Sequence, residues 1–212
     1  MEKVKVVIPW LPNKSREPGF KWVCDYYRHR LGKDSVHVEI ANTSPFNRSQ
    51  VINAAVSKFP GHKIVISDAD CFICDHGLAR AVREVNDDEM LIPHNCFCPT
   101  SRVQKQWILK QDPKNKVTAK WFRKRRKRRA QAGIWVVTYD FFMDAPMDER
   151  FIGWGCEDTE FLRRTATRRF GGPLYHIHHK RPSKRYFMRN KKLHRAIKKE
   201  AIFDESHHLE EN

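Results

Sequence analysis

Three short stretches of this 212-residue chain combine residue types that can do chemistry. Asp68-Ala69-Asp70 directly follows the apolar run Lys63–Ser67 (KIVIS). Two carboxylates one residue apart at a strand end can offer oxygen ligands to one divalent cation, which keeps waters and bridges substrate phosphates. A solvated turn carries the same pattern, so the pair alone does not assign a metal. The second stretch, Gly153-Trp154-Gly155-Cys156-Glu157-Asp158, is entered through Met147-Asp148-Glu149-Arg150-Phe151. Glycines on both sides of a tryptophan let the backbone turn tightly and a ligand approach closely. Glu157 and Asp158 open a predicted helix over 157–164, where the helix dipole favours carboxylates with or without a catalytic duty. An ionised carboxylate beside a hydroxyl is also what a general base requires. The third stretch is His176-Ile177-His178-His179, after the apolar Pro173–Tyr175. One imidazole added to the Asp68/Asp70 pair would give a mixed nitrogen and oxygen site suited to manganese. Histidines in a basic segment also lie at the surface with no ligand.

The elements that must position these residues alternate in the first half of the chain. Val4–Ile8 reads as a strand closed by Pro9, Pro18–Leu31 as a helix stopped by Gly32, and Val36–Ile40 as a strand. Asn47–Phe59 has a helical apolar face in Val51, Ile52, Ala55 and Val56, and Lys63–Ser67 is a buried strand. Repeated strand–helix–strand units predict an α/β fold with a mostly parallel sheet covered by helices, and ligands beyond the carboxyl ends of its strands. Met90–Pro93 and Gly133–Thr138 add strands, a short helix follows Thr138, and a basic amphipathic helix is expected over 183–202. With no repeat and no linker, the chain reads as a single domain over residues 1–203 and a flexible acidic tail over 204–212.

Composition narrows the partners. Lys and Arg number 41 against 25 Asp and Glu, a formal charge of +16, which attracts a polyanion such as nucleic acid, an anionic glycan or a phosphate-rich ligand. Hydrophobic residues at 40% exclude wholesale disorder. No apolar run approaches the roughly 18–20 residues of a membrane span, and Met1–Ile8 is a charged strand rather than a signal peptide. The expectation is a soluble, cytoplasmic protein. The pairs Cys71/Cys74 and Cys96/Cys98 sit among apolar residues, and the latter has one intervening residue where a zinc knuckle has two to four, so buried reduced thiols are expected.

In order and spacing these features resemble metal-dependent GT-A glycosyltransferases, especially the galactosyltransferase and chondroitin-polymerase type. The resemblance is carried by Ile8-Pro9 ending the first strand and by Phe46-Asn47-Arg48 opening a helix (SQVINAA). It continues with Asp68-Ala69-Asp70 after IVIS, Gly153–Asp158 after MDERFI, and a histidine in YHIHH; it spans residues 4–180. It implies a single-domain GT-A (Rossmann-like) fold, a Mn2+ or Mg2+ cofactor and a nucleotide-sugar donor with uridine as its usual base. It places Pro9, Arg16, Phe46 and Arg48 around the nucleoside diphosphate, and Asp68 and Asp70 at ribose and metal, with Asp70 the more direct ligand. It sets Trp154 near the donor sugar and Glu157 on sugar or acceptor hydroxyls, and makes Asp158 the catalytic base. The metal histidine is His176 or His179, between which spacing does not choose. Ala132-Gly133 stands where the family often has Gly-Gly, and Cys156 where galactosyltransferases have glycine; both departures bear on acceptor and sugar more than on reaction type.

The implied reaction is an inverting sugar transfer onto an acceptor hydroxyl. The run Lys120, Arg123, Lys124, Arg125, Arg126, Lys127, Arg128 and Arg129 precedes Gly133, on the acceptor side of related enzymes. It could neutralise several phosphates, with Trp121 and Phe122 packing or stacking on a base. The leading expectation is therefore a hydroxymethylated pyrimidine in DNA as acceptor, chemistry that suits a small viral modification enzyme in its host cytoplasm. The alternative is a saccharide or envelope-polymer acceptor. Two rivals from other classes are a non-catalytic nucleic-acid-binding protein, which leaves the three stretches without a role, and a metal-dependent nuclease, which leaves the tryptophan–glycine segment without one.

Overall fold

The computed structural model describes residues 3–117, 133–180 and 184–210, so the basic run from Lys120 to Arg129 lies outside the described residues. The centre is a six-stranded sheet. Its strands are β1 (Val4–Trp10), β2 (Val36–Ile40), β3 (Lys63–Ser67), β5 (Met90–Ile92), β7 (Ile134–Thr138) and β8 (Thr167–Arg169), in the order β2-β1-β3-β7-β5-β8. β2, β1 and β3 are parallel neighbours, as are β5 and β8, while β7 runs antiparallel between β3 and β5. The sheet is thus mostly parallel, as the alternating elements predict. A second sheet of β4 (Cys71–Ile73), β9 (Pro173–His176) and β6 (Cys96–Pro99) stands beside it; its three- and four-residue strands carry too little periodicity to be read from sequence.

Alternation along the central strands feeds two cores. Val6, Ile8, Val65, Ile134 and Val136 face one side, where α1 (Glu17–Leu31) contributes Trp22, Val23, Tyr26 and Tyr27 and the small sheet contributes Phe72 and Leu174. Val7, Ile64, Ile66, Trp135 and Val137 face the other, against α2 (Arg48–Val56), Phe142 of α5 (Tyr139–Asp144) and Phe161 of α6 (Glu157–Arg164). Each fully buried side chain of this size contributes about 1.5–3 kcal/mol. Two further helices, α3 (Asp75–Glu84) and α4 (Arg102–Lys110), bury Leu78, Ala81, Val82 and Ile108 in the first core.

Pro9 does not close β1. The strand continues to Trp10, with Pro9 opposite Glu39 and Trp10 opposite Ile40 of β2. Pairing with β3 stops at Val7, and the N–H of Val6 is given to Ser35 on the β2 side, so alternation turns the nitrogen of Pro9 towards the side where no ladder remains. The C-terminal helix α7 spans Phe187–Glu210 rather than 183–202; no glycine or proline follows Ile202 to stop it. Among the described residues no helix is long and apolar enough to cross a membrane.

Candidate active site

Parallel β2, β1 and β3 end at one edge of the sheet, and antiparallel β7 begins there, opposite Ser67. The segments that follow those ends therefore meet: Arg16 after β1, Phe46–Arg48 after β2, and Asp68–Asp70 after β3. Asn47 caps α2, its side-chain oxygen accepting from the Gln50 N–H at 3.1 Å. The turn after β3 is held from three sides. The Asp68 N–H donates to the Gly133 carbonyl at 2.8 Å, the Cys71 N–H to the Asp68 carbonyl at 3.1 Å, and the Ile177 N–H to the Asp70 carbonyl at 2.8 Å. Beneath it, the buried Tyr27 hydroxyl donates to Ser67 Oγ at 2.9 Å.

The two aspartates of this turn have different partners. Asp68 Oδ1 accepts a fork from Arg48, Nε at 3.0 Å and Nη2 at 2.8 Å. Asp70 is buried and receives Arg16 Nη2 at 2.6 Å on Oδ2, with His179 Nε2 3.0 Å from Oδ2 and His176 Nε2 3.6 Å from Oδ1. Burial opposes the charge of Asp70, but His176, His179 and Arg16 outweigh it and hold its carboxyl well below the usual range. Burial lowers the pKa of His176 against the pull of Asp70, which favours the neutral imidazole that metals bind. Both histidines between which spacing could not choose thus reach Asp70; their Nε2 atoms are 3.2 Å apart. β9 carries His176 there, pairing it with Cys71 of β4.

Cys71 belongs to the same cluster, which sequence reading treated as packing. Its donor atom lies within 4.8 Å of those of Asp70 and His176, and its thiol donates to Asp70 Oδ1 at 3.8 Å. Burial, followed by Asp70, pushes that thiol well up, so it stays protonated. No disulfide links the six cysteines, as expected of reduced thiols, but Cys74, Cys96 and Cys156 are only half-buried.

The donor set fits a divalent cation. His179 donates Nδ1–H to the Lys180 carbonyl at 2.7 Å, the outer hydrogen bond usual for a ligating histidine. Its Nε2 lies 3.0 Å from Asp70 Oδ2 and 3.2 Å from His176 Nε2, so a carboxylate and two imidazole nitrogens converge on one point. Asp68, paired with Arg48, stands outside this set.

The glycine–tryptophan segment comes to the same edge. The Gly153 N–H donates to the Phe46 carbonyl at 2.8 Å, and Asn47 Nδ2 to the Glu149 carbonyl at 2.8 Å. Gly153 and Gly155 both have positive φ, 71° and 113°, and so does Cys156 at 75°. A Cβ on Gly155 would lie 2.7 Å from the Phe187 ring, so glycine is required there by conformation and by space. The turn brings Glu157 and Asp158 into the first turn of α6. Glu157 is buried and accepts the Gly155 N–H at 3.0 Å on Oε2; Asp158 Oδ1 accepts the Thr159 N–H at 2.8 Å. Burial raises the pKa of both, with Arg48 partly opposing and Asp68 adding to the rise. Arg48 is buried and its charge is favoured by Asp68, then Glu157, then Asp158. One guanidinium therefore links the aspartate turn to the acids of α6.

The remaining sequence-predicted residues are placed as follows. Pro9 is buried in β1, Phe46 contributes its carbonyl to Gly153, and Trp154 is half-exposed with its ring stacked on Phe187, centroids 5.4 Å apart. The hold of α7 on this segment, through Tyr186, Phe187 and Asn190, was not signalled by any local motif; Asn190 Nδ2 donates to the Ile152 carbonyl at 2.9 Å.

No protein-family model and no curated protein sequence matches the chain. Solved structures do. Glucosyl-3-phosphoglycerate synthase from Mycobacterium tuberculosis, in complex with Mn2+, uridine diphosphate and glucosyl-3-phosphoglycerate, superposes with a TM-score of 0.53 at 12% identity over 85% of this chain and 73% of that one. The same enzyme with Mn2+, UDP-glucose and phosphoglyceric acid gives a TM-score of 0.53 at 12% identity, with the same coverage. Staphylococcus aureus TarS gives 0.51 at 12% identity over 91% of this chain and 39% of that one. The mixed, mostly parallel central sheet with its covering helices has the GT-A glycosyltransferase fold.

Proposed function

We propose that this protein is a metal-dependent inverting glycosyltransferase of the hexosyltransferase type that moves a sugar from a nucleotide sugar, with UDP as its nucleotide, to an acceptor hydroxyl. The observation that carries the reading is the meeting of Asp68, Glu157 and Asp158 around Arg48, with Asp70 and two imidazoles beside them. Glycosyltransferases of the same fold that bind Mn2+ and UDP support it.

Asp70, His176 and His179 hold the cation, Mn2+ or Mg2+, and a cation there supplies charge to a departing diphosphate. Asp68, fixed by Arg48, faces the ribose. Arg16, already on Asp70, and Arg48 line the diphosphate beside Pro9 and Phe46, and Trp154 bounds the donor sugar. Glu157 orients hydroxyls. Asp158 takes the acceptor proton as that oxygen bonds to the anomeric carbon, while the bond from that carbon to the diphosphate oxygen breaks on the opposite face. Burial suits Asp158 to this duty, since a raised pKa makes a better proton acceptor near neutral pH.

The acceptor is a hydroxymethylated pyrimidine in DNA, supported by the formal +16 charge and the Lys120–Arg129 run. A saccharide or envelope-polymer acceptor fits the same chemistry; the small anionic acid bound by the mycobacterial enzyme favours keeping it. The test is a screen of nucleotide sugars with Mn2+ for release of free UDP, with and without hydroxymethylated DNA. Stimulation by that DNA, with sugar appearing on it, is expected. Absence of release from every donor would end the transferase reading.

A further inference from the structure

We infer that the first three turns of α7, with Trp154, form the docking surface for the acceptor strand, and that its ligand is single-stranded nucleic acid. The inference rests on the nucleic-acid reading of the acceptor and locates it on residues to which the proposed reaction assigns no acceptor role.

Between Lys184 and Lys199 the chain has eight Lys or Arg and no Asp or Glu. The helix sorts them by face. Asn190 is fully buried, and Leu193, His194 and Ile197 are half-buried on the inner side. Met188, Lys192, Arg195 and Lys199, spaced four, three and four residues apart, are all exposed on the outer side. None of the last three makes an ion pair among the described residues. A solvent face needs charge of either sign for solubility, yet this one has a single sign over about 16 Å of helix, at 1.5 Å per residue.

The stripe starts at the chemistry. Phe187 opens the helix and stacks on Trp154, rings 25° from parallel, while Tyr186 covers Gly153. Trp154 is 46% exposed and Met188 60% exposed. Trp154 lies four residues before Asp158 on a turn locked by the Gly155–Glu157 hydrogen bond. An aromatic platform continued by a row of cations is how single strands are held without sequence preference, bases stacking on rings and phosphates tracking the charges. A polymer without bases would use the cations and leave the platform idle, so the platform favours nucleic acid.

The test uses the full-length protein and a fluorescein-labelled twelve-nucleotide oligothymidylate, with anisotropy read across a salt series. For single strands each phosphate neutralised contributes about 0.7 to the slope of log affinity against log salt. Lys192→Ala/Arg195→Ala/Lys199→Ala should therefore flatten the slope by about 2. The Lys120–Arg129 run is common to both proteins, so the difference reads α7 alone. Trp154→Ala should weaken binding about ten-fold or more, and an abasic strand of equal length should bind more weakly than oligothymidylate to the wild type but equally to Trp154→Ala. An unchanged slope in the triple variant overturns the inference. So does equal affinity for the abasic strand or for poly(glycerol phosphate), which would give the surface to a base-free polymer. UDP release is measured separately across the nucleotide-sugar panel: binding through α7 with no release from any donor would leave the nucleic-acid surface standing and remove the transferase reading.

Discussion

Two acidic centres lie on one edge of the sheet, and their surroundings push them in opposite directions. Asp70 is buried among Arg16, His176 and His179 and is held as a permanent anion. Glu157 is buried and Asp158 half-buried beside it, with one shared guanidinium, Arg48, which is also committed to Asp68, and both carboxyl pKa values are raised. Burial acts at both centres; Asp70 alone has a guanidinium and two imidazoles against one carboxylate, whereas Arg48 is shared among three carboxylates. An acid that stays ionised suits binding of positive charge, whereas an acid with a raised pKa suits proton transfer. The contrast divides labour within the proposed reaction and can be attacked from either side.

The hardest test removes the proton acceptor. Asp158→Asn keeps shape and the hydrogen bond from Thr159 but cannot take a proton at neutral pH. Turnover in a UDP-release and sugar-transfer assay should fall by about 10²–10⁴-fold, the usual worth of a general base. Near-normal turnover in the folded variant would take Asp158 out of the chemistry and leave the raised pKa as a consequence of burial alone. The opposite centre is broken by Asp70→Asn, which leaves Arg16 and two imidazoles without their anion. Loss of about 10²–10³-fold in turnover is expected, as for removal of one electrostatic contact in a reaction centre. Isothermal titration with Mn2+ should show lost affinity in Asp70→Asn and retained affinity in Asp158→Asn. Equal Mn2+ affinity in both would dissolve the division.

Much of this division was legible before any coordinates, for a physical reason. Asp68, Asp70, Glu157 and Asp158 sit at ends of elements with clear local signals: KIVIS is a short apolar run read as a buried strand, and Glu157–Arg164 begins after a glycine turn. What was not legible depends on long-range pairing. His176 and His179 became distinguishable from surface histidines only through the pairing of β9 with β4, two strands too short to announce themselves. Cys71 read as one more buried thiol, although it directly follows Asp70, because His176 joins the two only through that same pairing. Pro9 read as a strand end because the missing partner on its β3 side is a fact of sheet order, which the chain does not spell out locally. The link between Arg48 and α6 likewise spans more than a hundred residues.

A third variant attacks the bridge between the acids and α7. Gly155→Ala adds a Cβ 2.7 Å from the Phe187 ring at a φ of 113°, so strain and crowding act together. Overpacking of this kind costs about 1–3 kcal/mol. A melting-temperature loss of several degrees is expected for a chain of this size, accompanied by lower turnover because the turn aims Asp158. Gly32→Ala supplies the control: it has a similar φ of 105° and nothing within 4 Å of an added Cβ. Equal losses in the two would mean that backbone strain alone is at work and that α7 does not press on the site.

The smallest effect discriminates most finely, because the two centres differ in sign. Glu157 has a folded pKa above its ordinary value, raised first by burial and then by Asp158. The folded protein thus holds that proton more tightly than the unfolded chain does. The stability this contributes is present in full below the unfolded pKa near 4.5 and is lost as pH rises through the folded value. Glu157→Gln removes the titration. With EDTA present throughout, the melting temperature of Glu157→Gln relative to wild type should therefore rise between pH 5 and pH 8, by an amount on the order of 1 kcal/mol of stability or a few degrees. For Asp70 the folded pKa is depressed, so its stabilisation is present above the unfolded value near 3.8 and is lost only as pH falls below it. Asp70 is ionised throughout pH 5 to pH 8, so the loss of its own titration gives Asp70→Asn no rise like that of Glu157→Gln in that window. Parallel pH profiles for the two variants would show that the partners of each carboxylate do not separate the centres. A rising profile for Glu157→Gln and none like it for Asp70→Asn is what the different surroundings of these two carboxylates require.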